Sequence, residues 1–285
     1  MCSSAVLCDA RCLATLVLGV GEILIEIVNA DCTTAFNSSE FDVMITDPPY
    51  SEHVHANATS QSRGGGTRAR NLGFDFLSAN LRHYIAGIAG KCVKRWSLIY
   101  SDIEGLHDWK TACELAGAKY IRPMPWVRWS MPQLSGDRPP TGCEFITCYW
   151  GTQGGRKSWN GPGNLISLNH TCLRGEGKHK TEKPLDQMLD LVTWFSNPGD
   201  HVFDPCVGSG TTALACSILN RNFTGVEIDK EWAEKARERI YSPLSDRDQD
   251  RYDRWCKSQE VQWEERQRLK KHTAKVRAKL DENNA

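Results

Sequence analysis

Two short stretches carry residue types suited to chemistry. The first is Asp47-Pro48-Pro49-Tyr50, which follows the apolar run Val43-Met44-Ile45-Thr46. Proline fixes φ and donates nothing to a sheet ladder, so a strand that meets two prolines stops there. The residue before a proline is driven to extended geometry. Asp47 is therefore expected at the carboxyl end of a strand, with a stiff turn, exposed carbonyls and a flat ring behind it. The second stretch is Asp204-Pro205-Cys206-Val207-Gly208-Ser209-Gly210-Thr211-Thr212-Ala213, between an apolar strand, His201-Val202-Phe203, and a helical pattern from Thr211 to Leu219. Glycines there let the backbone approach a ligand closely. Glu227 ends the next strand, Phe223 to Ile228, where a carboxylate can accept both hydroxyls of a ribose.

Together these features point to an adenosine-containing ligand on a Rossmann-like sheet. The glycine pattern also fits a nicotinamide dinucleotide enzyme, or a tight turn that only packs helix on sheet. Asp204 places a negative charge where a pyrophosphate would sit, whereas a sulfonium ligand tolerates it. In an open parallel sheet, loops at the carboxyl ends of adjacent strands share one crevice, so the Asp47 and Gly208 loops are expected to face each other.

The elements that must position them read in order as follows. Ile23 to Val28 and Phe41 to Thr46 are strands, with Thr33 to Glu40 a short connection. Ser78 to Trp96 has helical spacing, and Ser97 to Tyr100 is a buried strand. Leu106 to Ala116 is a helix closed by Gly117. Tyr120 to Trp129 and Glu144 to Trp150 are strands suited to an antiparallel edge. Pro184 to Phe195 is a helix with proline in its first turn. Asp229 caps a helix running to Ile240. The alternation predicts an α/β fold: a doubly wound, mostly parallel sheet with an antiparallel edge strand. The catalytic domain is expected over residues 1–240, with insertions at about 51–77 and 151–180. A charged, helical extension is expected over 241–285.

Composition sets the outer bounds. The chain has 285 residues, 25% charged and 40% apolar, with zero formal net charge, so any nucleic-acid surface must be a local patch. Its 12 cysteines include no CxxC pair, which favours reduced, buried thiols over a structural metal. Leu13 to Val20 is too short to span a bilayer and lacks a basic leader, so the N-terminus reads as a leader running into a strand.

The joint pattern resembles the amino-group DNA methyltransferases that use S-adenosylmethionine. The order, tetrapeptide early and glycine loop late, is similar to the permuted β group of that family. Asn29-Ala30-Asp31-Cys32 resembles its acidic turn, Thr181-Glu182-Lys183-Pro184 its Thr-x-Lys-Pro element, and Gly225-Val226-Glu227-Ile228-Asp229 its ribose-binding strand end. The resemblance implies that Asp47, Pro48, Pro49 and Tyr50 hold a flipped base: Asp47 and the Pro48 carbonyl accept from its amine, and Tyr50 stacks on it. It implies a cofactor site around Asp47, with Phe203, Asp204, Gly208 and Gly210 wrapping the methionine part. Pro205, Cys206, Ser209, Thr211 and Thr212 line it, and Glu227, Ile228 and Asp229 meet the ribose. Asp31 and Cys32 lie near the adenine, and Thr181 and Lys183 near the methionine carboxylate. Cys206 is read as lining the cofactor rather than as the nucleophile of a C5-cytosine enzyme.

DNA contact is expected from Arg63, Arg68, Arg70, Arg156, Lys157, Arg174 and Lys178, which lie among glycines in the two insertions. No metal is required. The expected reaction is N6-adenine methylation. N4-cytosine methylation, an NAD-dependent oxidoreductase and a non-catalytic DNA-binding protein are the competing readings. The resemblance also implies double-stranded DNA as partner, a homodimer, and a cytoplasmic bacterial or phage-encoded enzyme, orphan or paired with a restriction endonuclease.

Overall fold

The architecture follows from which strands are buried on both faces. In the computed structural model, the described residues are 14–17, 22–35, 40–50, 59–61, 67–69, 76–127, 142–153, 159–162, 167–170 and 182–283. Contacts divide the chain into residues 1–243 and 244–285.

In the first unit the strands are β1 (Ala14–Val17), β2 (Glu22–Asn29), β3 (Phe41–Thr46), β4 (Thr59–Gln61), β5 (Thr67–Ala69), β6 (Val93–Ser101), β7 (Lys119–Val127), β8 (Cys143–Trp150), β9 (His201–Asp204) and β10 (Asn222–Glu227). The helices are α1 (Cys32–Ala35), α2 (Ala79–Lys91), α3 (Leu106–Leu115), α4 (Leu185–Phe195), α5 (Thr211–Ile218) and α6 (Lys230–Tyr241). The main sheet runs β1-β2-β10-β9-β3-β6-β8-β7, and β4 pairs separately with β5. From β2 to β6 the neighbours are parallel. β1 is antiparallel on one edge, and β8 and β7 are antiparallel on the other. Val43, Met44 and Ile45 are fully buried, as a central parallel strand covered by helices on both faces requires.

One face carries α2 and α3, whose Ile85, Ala89, Trp109 and Cys113 pack with Met44, Ile99 and Phe203. On the other face α4 receives the Tyr100 hydroxyl at Gln187, 3.0 Å away. The doubly wound fold is as the sequence implies. From β3 the chain passes through α2 to β6 on one side; from β9 it passes through α5 to β10 on the other. β3 and β9 are neighbours, so the order reverses between them, and a crevice opens at their carboxyl ends.

Some boundaries differ from the sequence reading. The helical spacing from Ser78 to Trp96 breaks at Lys91, and β6 starts at Val93 rather than Ser97. Val93 and Trp96 pair with Phe41 and Val43 of β3, and sheet pairing of this β-branched and aromatic run outweighs the continuing helical period. Ser78 caps α2 as its side chain accepts from Leu81 N–H at 3.1 Å. The connection after β2 contains the short helix α1, and β1 is a strand within the stretch read as a leader. Asp229 caps α6 by accepting from the Glu231 and Trp232 N–H groups.

The second unit is one helix, α7 (Asp246–Asn283). The Ser245 hydroxyl accepts from Asp248 N–H at 3.2 Å at its start, and the Asp250–Arg254 pair at 2.8 Å supports an exposed face. Val261 and Trp263 are exposed on it. No helix among the described residues is long and apolar enough to cross a membrane.

Candidate active site

β3 delivers Asp47 to the crevice, and β9 delivers Asp204 beside it. Met44 is level with Phe203 in the parallel register, so the two strand ends emerge together. Burial raises the Asp204 pKa, and the Asp47 carboxylate adds to that rise.

At the tetrapeptide, Pro48 is buried while Asp47, Pro49 and Tyr50 are half-buried. Lys183, just before α4, places Nζ 2.7 Å from Asp47 Oδ2 and 3.3 Å from Glu144 Oε2 on β8. The Tyr50 hydroxyl donates to Glu144 Oε2 at 2.7 Å and lies 3.2 Å from Lys183 Nζ. The other Asp47 oxygen, Oδ1, is buried and accepts no hydrogen bond among the described residues. Burial raises the Asp47 pKa, the Lys183 ammonium opposes that rise, and the Glu144 carboxylate adds to it. Burial and the same two carboxylates push the Tyr50 phenol far up, so it stays neutral. Glu144 is a site residue that the sequence reading missed. It is the second residue of β8, 97 residues after Asp47, with no local signal. Lys183, expected near the methionine carboxylate, is seated against Asp47.

The glycine loop is built differently. Gly208 and Gly210 have φ of 54° and 82°, a region that favours glycine. A Cβ at Gly210 would also sit 2.9 Å from Ala236 Cβ. Gly208 N–H donates to Glu227 Oε2 at 2.8 Å and Asp229 N–H to Oε1 at 2.9 Å, so Glu227 ties the glycine loop to the turn after β10. Asp204 accepts from Cys206 N–H at 3.0 Å and from the Thr212 hydroxyl at 2.9 Å. Burial nevertheless pushes its carboxyl up to about 7. Arg239 of α6 donates to the Ser209 carbonyl and to Thr211, and pairs with Glu182 at 3.1 Å. It thus ties the loop to the segment that carries Lys183. Arg239 also escaped the sequence reading, because nothing in its helix marks it.

β10 pairs with β2 in parallel, and Ala30 N–H donates to the Glu227 carbonyl at 3.1 Å. The Asp31 turn therefore stands beside the Glu227 strand end. Asp31 is exposed and accepts from Thr33 N–H and hydroxyl at 2.9 and 2.7 Å. Cys32 is buried next to Cys206. The Cys32 thiol and burial raise the Cys206 pKa far above its usual value, which leaves Cys206 a poor nucleophile. Ile228 is 71% exposed at the same edge, an apolar surface open to a ligand. Phe203 is fully buried and stacks on Phe41 at 4.2 Å, so it supports the loop from beneath. Pro205 is buried at the start of the loop.

Of the residues assigned to DNA contact, Arg63, Arg70, Arg156, Lys157, Arg174 and Lys178 lie outside the described residues, as does Thr181. Arg68 lies in β5, where only its backbone is described.

The donor set fits a sulfonium nucleoside: a glycine cradle, a carboxylate at the strand end, and an acidic side chain where a pyrophosphate would be repelled.

The described geometry agrees with the comparisons to known proteins. Residues 144–238 match a family model described as DNA methylase. The Type II methyltransferase M.HpaI of Haemophilus parainfluenzae is 38% identical over 86 residues, 30% of this chain and 27% of that protein. M.XycI of Xanthomonas campestris pv. cyanopsidis is 31% identical over 121 residues, 39% of this chain and 40% of that protein. These matches span less than half the length of either curated relative. The crystal structure of the M1.HpyAVI–SAM complex superposes with a TM-score of 0.58 at 26% identity, covering 75% of this chain and 99% of that one. The cytosine-N4-specific PvuII DNA methyltransferase shares the fold, with a TM-score of 0.55 at 12% identity over 81% of this chain and 92% of its own. By its paired motifs, its sheet order and these likenesses, the chain is similar to the amino-group (N6/N4) DNA methyltransferases, and the family-model match covers residues 144–238.

Proposed function

We propose that this chain binds S-adenosylmethionine and methylates the exocyclic amino group of a flipped base in double-stranded DNA, with adenine N6 as the target. The carrying observation is Asp47 Oδ1, a buried acceptor without a partner among the described residues, held extended at the crevice where the glycine loop opens.

An exocyclic amine is a weak nucleophile because its lone pair is delocalised into the ring. Asp47 Oδ1 and the Pro48 carbonyl would accept its two N–H groups and favour a pyramidal nitrogen with a localised lone pair. This is catalysis by positioning and preorganised acceptors. Tyr50 offers its ring to the flipped base in place of lost stacking. The hydrogen bond from its hydroxyl to Glu144 holds that ring in place. S-adenosylmethionine, when bound, supplies the electrophilic methyl group. Gly208 and Gly210 would give close backbone approach, Glu227 would accept ribose hydroxyls, and Asp204 would face the cationic part. Aspartate at position 47 favours adenine, since the N4-cytosine enzymes more often carry serine there.

The resemblance further implies a cytoplasmic homodimer, either an orphan or paired with a restriction endonuclease. DNA contact falls to Arg63, Arg68, Arg70, Arg156, Lys157, Arg174 and Lys178. Grip on phosphates by these residues predicts that log affinity falls linearly with log salt; salt-independent binding in a titration series would refute it. Methylated DNA digested to nucleosides and read by mass spectrometry tests the target. N6-methyladenine is expected, and N4-methylcytosine alone would overturn the choice of adenine. Calorimetric binding of NAD in preference to S-adenosylmethionine would overturn the whole reading.

A further inference from the structure

Asp47 and Glu144 arrive from different strands and share one cation. Lys183 Nζ lies 2.7 Å from Asp47 Oδ2 and 3.3 Å from Glu144 Oε2. Its side chain is 9% exposed. The rings of Tyr50, Tyr100 and Trp126 surround the ammonium with centroids at 5.2, 4.8 and 5.7 Å. Such a cage disfavours water and favours a cation.

Two carboxylates this close, with little water, do not both stay ionised without a counter-charge. A protonated Asp47 would give up acceptor strength at the atoms that must receive an amine. We infer that Lys183 is the counter-ion that keeps Asp47 an ionised acceptor, and that Glu144 is a positioning residue that seats Lys183 and the Tyr50 hydroxyl against it. The inference rests on the proposed amino-methyl transfer and assigns Lys183 to the base pocket. It adds Glu144 to that pocket.

Among the described residues, the charged and titratable groups facing Asp47 are Lys183, Glu144, Tyr50, Tyr100 and Asp204. Burial keeps both tyrosines neutral. Lys183 is thus the cation of the set, and the two neighbouring carboxyls act against it. The two partners must then shift Asp47 in opposite directions. Without Lys183, Asp47 holds its proton to higher pH; without the Glu144 charge, it releases the proton at lower pH.

The test is the pH profile of kcat at saturating S-adenosylmethionine and DNA, so that the bound sulfonium charge is common to every variant. Lys183→Met should move the acid limb up by about 1–3 pH units. The rate near neutrality then drops by about 10–100-fold and returns at alkaline pH. Glu144→Gln should move the limb down, the double variant should fall between, and Lys183→Arg should stay near the wild-type profile. If Lys183→Met does not fold, as read by circular dichroism, the downward shift expected of Glu144→Gln, beside an unshifted Lys183→Arg, still decides the matter. Acid limbs that coincide with wild type in all variants, with kcat lowered equally at every pH, would overturn the inference while leaving methyl transfer intact. A wild-type protein that transfers no methyl to DNA would instead overturn the function on which the inference rests.

Discussion

The glycine loop and the Asp47 tetrapeptide sit at adjoining strand ends, yet they are secured in different ways. The loop is held by partners 19 and 30 residues along the chain: Gly208 N–H donates to Glu227, which also accepts from Asp229 N–H, and Arg239 donates to the Ser209 carbonyl. The tetrapeptide carboxylate is held by a lysine and a glutamate that lie 136 and 97 residues further along the chain. A loop held through backbone atoms takes its shape from those bonds. A carboxylate held by remote partners takes its charge state from them. Substitutions at the two regions should therefore fail differently.

The largest expected effect is at Asp47. Asp47→Ala removes the unpartnered acceptor and should lower methyl transfer by about 10²–10³-fold or more. Binding of S-adenosylmethionine, measured by calorimetry, should change little. Equal losses in both would erase the distinction between the two regions. Gly210→Val should do the reverse. It forces a β-branched residue to φ of 82° with its Cβ against Ala236. The strain costs on the order of 1–3 kcal/mol, and cofactor affinity should fall with stability in a denaturation series. Unchanged affinity would argue that the loop does not depend on that turn.

The third prediction concerns pH. Asp204 titrates near 7 in the folded chain against an ordinary value of 3.8. The native state holds this proton more tightly than the unfolded state. Its stabilising contribution is therefore full below about pH 4 and is lost as pH rises to about 7. At about 1.4 kcal/mol per unit the loss approaches about 4 kcal/mol. Urea titrations should show a flatter stability profile between pH 4 and 7 for Asp204→Asn; parallel profiles would contradict the assignment. The smallest effect belongs to Tyr50→Phe, which keeps the ring and loses the bond to Glu144. About 1 kcal/mol of stability and a several-fold drop in kcat are expected. A loss as large as that of Asp47→Ala would mean that the hydroxyl acts directly on the substrate.

The same contrast explains what the sequence made legible. Asp47 could be placed at a strand end because prolines stop strands locally. The glycine loop could be placed because it lies between a short apolar strand and a helical run. Their meeting followed from strand order, since adjacent parallel strands open on one crevice. Glu144, Arg239 and the seat of Lys183 were not legible. Each acts through contacts made only by tertiary packing, and no spacing rule reports a partner so remote in sequence. The start of β6 was misplaced for a related reason: Val93 to Trp96 continues an apolar helical period, and only pairing with β3 and β8 makes it a strand. The short strand β1 and helix α1 also rest on neighbours rather than on strong local pattern.

The most direct test of the central claim, that these two regions form one amino-methylating site, is modified-nucleoside analysis of DNA incubated with the purified chain and methyl-labelled S-adenosylmethionine. Labelled N6-methyladenine should appear with the wild-type chain and vanish with Asp47→Ala. Label on cytosine C5, or label that persists undiminished in Asp47→Ala, would contradict the account.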